Sequence, residues 1–183
     1  MNTKAGILFW ISSLTIMVLL MIIFGGLTRL TDSGLSMVDW RPLMGTIPPL
    51  SSQAWIEVFN NYKLTPEFQI INSKISLKEF KIIFWWEWFH RFFARFIGLV
   101  FIAPFIYFFW KKRLSKDLII SMSLIFVFGL FQAIVGWWMV KSGLTDNPYV
   151  SSYRLAFHLA NALIIFSFLF WISLSLFYGK NKN

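Results

Sequence analysis

Residues 85–98 read WWEWFHRFFARFIG, and the reading of this stretch decides the architecture. It sets a carboxylate, an imidazole and two guanidiniums (Glu87, His90, Arg91 and Arg95) among aromatic and aliphatic residues. In an apolar span each such group is costly unless it has a partner. At about 100° per residue on a helix, Glu87, Arg91, Ala94 and Gly98 form one narrow stripe, with His90 about 60° to one side. Such a face can receive a polar ligand. It fits equally an internal Glu87–Arg91 ion pair at the four-residue spacing, beside a histidine satisfied by a neighbouring helix.

The composition around this stretch sets the class. Hydrophobic residues make up 57% of the 183, aromatics 20% and charged residues 14%, and mean hydropathy is +0.65. Soluble domains carry about 45–50% apolar and about 25% charged residues, so the chain reads as a membrane protein. The net charge of +9 does not point to nucleic acid, because Lys and Arg sit between apolar runs and are not gathered on a soluble surface. With no cysteine there is no disulfide, iron–sulfur cluster, thiolate-ligated haem or Cys-containing zinc site. Metal chemistry is left to His, Glu and Asp.

Four apolar spans follow, at about 7–27, 82–110, 118–140 and 153–178, with a loop over 28–81. The first run is longer than an ordinary signal-peptide core and lacks a clear small-x-small cleavage site, so it reads as a retained span. The expectation is one all-α membrane domain, a four-helix bundle over 1–183. Within the loop, Ser51-Ser52-Gln53 is a start signal for a short amphipathic helix, and Ser76 with Glu79 fits a capping box into the second span. Trp40, Trp55 and Phe59 suggest that parts of the loop rest on the membrane interface, with packing inside the loop as the alternative. Pro104 is placed to kink the second span. Lys111, Lys112, Arg113 and Lys116 mark a cytoplasmic turn, and the Gly179–Asn183 tail agrees. Both termini are then inside, the 28–81 loop outside, and spans two and four parallel.

His90 lies about eight residues below the start of span two and His158 about five below that of span four, so both sit roughly 8–12 Å from the outer surface. The only two histidines share a level. Two imidazoles at one depth on parallel helices are placed to ligate one haem iron axially. Arg91, Arg95 and Arg154 stand at that level, where haem propionates need charge-assisted donors. Span three carries Gly129, Gln132, Ala133 and Gly136 on one face, which suits either close helix packing or a flat ligand.

GGLTRLTDSGLSMVDWRPLMGTIPPLS after span one, FWWEWFHRFFARFIGLVF in span two, FGLFQAIVGWWMVKSGL in span three and SSYRLAFHLANA in span four together resemble the amino-terminal half of haem A synthase, in its alphaproteobacterial and mitochondrial branch. The likeness covers essentially the whole chain. It implies a bacterial inner-membrane enzyme that converts haem O to haem A for cytochrome oxidase, by two successive hydroxylations of a methyl group to a formyl group. It implies His90 and His158 as axial ligands of the substrate haem and Glu87 as the acidic residue of catalysis. A six-coordinate iron has no vacancy for dioxygen, so water is expected to supply the hydroxyl, with Glu87 taking the proton from the methyl group or from the attacking water. Gln132 joins the three arginines as a cofactor-binding residue.

Members of that family have two four-helix halves, the second holding a haem B for electron transfer, whereas this sequence matches one. A second half on another polypeptide, a second copy of this chain, and a remnant of an interrupted gene all fit. Two other functions stay open beside the enzyme: a bis-histidine b-type electron-transfer subunit, and a non-catalytic assembly protein or fragment. The electron acceptor is not specified by any residue.

Overall fold

The computed structural model describes residues 3–38, 44–145 and 147–179. Trp40 and the Lys180–Asn183 part of the tail, which entered the interface and orientation arguments, lie outside the described residues. In chain order the elements are α1 (Thr3–Leu30), a 3-10 turn (Met44–Thr46), α2 (Ser52–Lys63), α3 (Pro66–Ile70), α4 (Leu77–Trp110), α5 (Lys116–Lys141) and α6 (Ser152–Gly179). There is no strand among the described residues. Helices α1, α4, α5 and α6 are long and apolar enough to cross a bilayer.

The local signals act where the sequence puts them. Ser51 caps α2 by accepting from the Ala54 amide, and Thr65 caps α3 ahead of Pro66. Ser76 and Glu79 close a reciprocal capping box on α4. Each such cap stabilises its helix by about 1 kcal/mol. Helix α4 continues through Pro104, whose missing N–H leaves the Val100 carbonyl without its intrahelical donor. The Trp10 indole of α1 fills that place, Nε1 donating to the Val100 oxygen at 2.8 Å. One interhelical bond thus repairs the proline defect and ties α1 to α4.

Helix α1 is the centre of the bundle, packed on α4 on one side and α6 on the other, with α5 against α6. Trp10 meets Phe101 and Phe108, while Phe24 meets Phe89 and Phe93, so α1 and α4 are antiparallel. Ser12 and Thr15 meet Ser173, so α1 and α6 are antiparallel too. Helices α4 and α6 therefore run parallel to each other, as the charge pattern requires.

Two cores divide the length of α4. At the end bearing the basic α4–α5 turn, Trp10, Leu14, Phe101, Phe108, Met122, Ile125 and Leu169 bring all four long helices together. At the opposite end, the loop end, Met37, Trp55, Phe59, Tyr62, Phe80 and Phe84 form a second core between the loop and the first turns of α4. Trp55 and Phe59 are buried there, so the loop's own packing, and not the bilayer interface, accounts for them. Burying an aromatic side chain of this size contributes about 1.5–3 kcal/mol. Residues 85–98 run along α4 from just beyond Phe84 of one core to just before Phe101 of the other.

The basic turn closes α4 with a Schellman arrangement: the Lys112 amide donates to the Phe109 carbonyl and the Arg113 amide to the Phe108 carbonyl. Its left-handed position, usually glycine, is held by Lys112 at φ 50°. A side chain there costs about 1–2 kcal/mol.

Candidate functional site

Helix α4 begins within the loop core, five residues before the apolar limit, so His90 lies thirteen residues beyond Leu77, about 20 Å along the helix. His158 lies six residues beyond Ser152, about 9 Å. Counting from helix starts therefore does not put them at one level; their contacts on the ascending helices do. His90 Nε2 rests on Gly25 of α1, where a Cβ would stand 3.4 Å away. His158 rests on Gly136 of α5, where a Cβ would be 2.9 Å from its Cε1. Gly25 is five residues before Leu30 and Gly136 five before Lys141, the loop-end termini of α1 and α5.

His158 is held by a chain of amides. Asn161 donates to the Phe128 carbonyl at 3.2 Å and to Gln132 Oε1 at 2.6 Å. The Gln132 amide nitrogen lies 3.1 Å from the His158 carbonyl and 3.2 Å from His158 Nε2. His158 Nδ1 is buried with no hydrogen-bond partner. Of the small face expected on α5, Gln132 and Gly136 meet α6, with Gly136 making room for the ring, whereas Gly129 and Ala133 are exposed.

Glu87 is 3% exposed and faces donors only. Its Oε2 accepts from Ser36 Oγ at 2.7 Å and from the Met37 amide at 2.8 Å, and its Oε1 is paired with Arg91. Arg91 also donates to the Met37 carbonyl at 3.1 Å. The four-residue ion pair is real, and it clamps the segment after α1 onto α4. Arg95 reaches the 3-10 turn, its Nη2 3.6 Å from where a Gly45 Cβ would be. Arg154 is engaged at the loop end of α5, with Nη1 2.8 Å from the Trp138 carbonyl and its guanidinium 4.4 Å from the Trp138 ring centroid.

The contacts bring Gln132 together with His158 on one side and Glu87 with Arg91 on the other, while His90 and His158 stand at one level, each on its own glycine. Ser36, Met37, Gly25 and Asn161 belong to the same constellation and were not singled out from sequence. Only Asn161 carried a signal, an amide three residues after His158 inside an apolar span, which is costly unless it bonds across helices. A pair of imidazoles, each seated on a glycine and one with an orphaned buried nitrogen, is a donor set suited to an iron porphyrin.

No solved structure matches the chain. Among curated proteins, it is 51% identical to a protein named heme A synthase from Nitrosospira multiformis, over 91% of this chain and 47% of that one. It is 46% identical to those of the same name from Parvibaculum lavamentivorans, over 97% and 52%, and Flavobacterium psychrophilum, over 100% and 55%. The chain spans about half the length of the curated relatives it matches. The family model described as cytochrome oxidase assembly protein matches residues 8–183, and the chain belongs to that family.

Proposed function

We propose that this chain is the substrate-haem half of a haem A synthase, holding haem O between α4 and α6 while one of its methyl groups is oxidised to the formyl group of haem A. The observation that supports this reading is that His90 and His158 each rest on a glycine of an ascending helix, five residues from its loop-end terminus, in a family whose similar members are named for haem A. Haem O brings the methyl to be oxidised and an iron able to accept electrons. His90 and His158 would hold that iron. Gln132, braced by Asn161, orients the His158 ring. Arg91, Arg95 and Arg154 stand as the cationic groups toward the propionates.

Glu87 is the base: Ser36, the Met37 amide and Arg91 hold its carboxylate in place, and it takes the proton from the methyl group or from the attacking water. The work divides between a ligand pair that places the haem and a carboxylate three residues from His90 that moves the proton.

The setting is the bacterial inner membrane, with the loop end outside and both termini in the cytoplasm, in accord with the basic α4–α5 turn. A second four-helix half, or a second copy of the chain, supplies the remaining length of the relatives and the haem B that passes electrons on. The test is haem extraction after purification from cells that make haem O. Low-spin, six-coordinate haem O or haem A is expected, lost in the His90→Ala, His158→Ala double variant. Haem B alone would indicate an electron carrier, and an undiminished load in the double variant would refute the ligand assignment.

A further inference from the structure

The turn between α4 and α5 borders a half-open cavity of about 370 Å³ lined by Phe109, Trp110, Lys112, Leu114 and Ile119. Four of these five residues are apolar and the fifth is a cation. Lys111 and Arg113 flank it within the same turn, and Lys116 at the head of α5. Lys112 holds the left-handed position of the Schellman closure, where glycine is the unstrained residue. A strained backbone kept with a charged side chain calls for a use of that charge.

The position narrows the use. The turn joins two membrane-crossing helices, and Trp110, 78% exposed, ends α4 there. That is the depth at which indoles favour the boundary between acyl chains and headgroups. A ligand reaching this cavity from the bilayer presents a hydrocarbon chain to Phe109, Leu114 and Ile119 and its headgroup to the turn. Three basic residues in that turn and Lys116 at the head of α5, against the single acid Asp117 beside it, call for a negatively charged headgroup.

We infer that the α4–α5 turn is a binding site for an anionic phospholipid, its phosphate on Lys112 and the adjacent cations and an acyl chain along Phe109, Leu114 and Ile119. The site lies on the opposite side of the four-helix core from the two histidines and does not depend on the haem reading.

Replacing Lys112 separates lipid binding from folding. Lys112→Gly removes the ammonium and at the same time supplies the residue that the left-handed position favours, so the fold should hold or gain in thermal midpoint. The full chain is reconstituted in vesicles of equal phosphatidylglycerol and phosphatidylcholine, released into mild detergent and weighed by native mass spectrometry. Wild-type chain should retain phosphatidylglycerol severalfold over phosphatidylcholine, and Lys112→Gly should lose most of that preference. Lys141→Gly, at the other end of α5, should keep it. Equal retention of both lipids by the wild type, or an unchanged preference in Lys112→Gly, would overturn the inference. So would complete displacement by millimolar glycerol phosphate, because a site for phosphate alone needs no apolar wall.

Discussion

Gly136 lies directly beneath the His158 imidazole, so close that a Cβ in its place would stand 2.9 Å from the ring's Cε1. Gly136→Ala must therefore push the ring aside or part α5 from α6, an overpacking cost of about 1–3 kcal/mol. Haem retention should fall about tenfold or more, since each ~1.4 kcal/mol is tenfold in affinity. Gly25→Ala, whose Cβ would meet His90 Nε2 at 3.4 Å, should cost less. Haem content per chain and the low-spin absorbance of the two variants check the order. Equal losses would mean that the glycines are not seats for the rings.

What the sequence disclosed here was local. The Ser51 and Ser76 caps could be read because cap and partner lie three residues apart, and the Glu87–Arg91 pair because one helical turn enforces it. The parallel run of α4 and α6 was legible from topology and charge, although the depth count was not: α4 starts inside the loop core, which no hydropathy window reveals. Ser36 and Met37 meet Glu87 across some fifty residues, and a serine in a loop carries no mark of such a partner. Trp55 and Phe59 look the same in sequence whether they lie in the bilayer interface or against Phe80 and Phe84.

The loop core contains a second buried carboxyl. Glu67 accepts from the Tyr62 hydroxyl at 3.0 Å, Asn72 donates to that same hydroxyl at 2.8 Å, and burial pushes the Glu67 carboxyl up from its ordinary 4.5 to about 7. Burial raises the Tyr62 hydroxyl as well. A carboxyl raised on folding binds more protons in the native state, so its stabilising share is complete below about pH 4.5 and is lost as pH rises through about 7. A shift of this size corresponds to about 3 kcal/mol. Hydrogen exchange over residues 52–72 should quicken from pH 5 to pH 8 beyond its intrinsic pH dependence, and Glu67→Gln should flatten that excess. A flat wild-type profile would show that Glu67 stays in one charge state.

Orientation is checked by reporters. A fusion near Gln53, at the head of α2, should report the outside of the cell, and one after Lys116, at the start of α5, the cytoplasm, because the basic turn is retained on that side. The reverse pattern would place the histidines near the cytoplasmic face and remove the topological half of the functional proposal.

The decisive question for the chemistry is whether Glu87 is a base or only a clamp, and its geometry means that one substitution cannot answer it. Glu87→Gln removes the proton acceptor, but it also takes the negative charge away from Arg91, 14% exposed at its side chain, and leaves it only neutral acceptors, the amide oxygen and the Met37 carbonyl. Breaking a buried pair in this way costs about 3–5 kcal/mol. Arg91→Gln breaks the same pair yet leaves the carboxylate in place, still receiving Ser36 and the Met37 amide. The two variants should therefore lose thermal stability together and part in turnover. With the remaining half of the length supplied on a second polypeptide, and turnover expressed per bound haem, Arg91→Gln should retain measurable conversion of haem O. Glu87→Gln should fall by about 10²–10⁴, the share a positioned general base supplies. If both fall alike, and only in proportion to the haem they hold, then Glu87 serves to clamp the segment after α1 onto α4, and the base must be sought elsewhere.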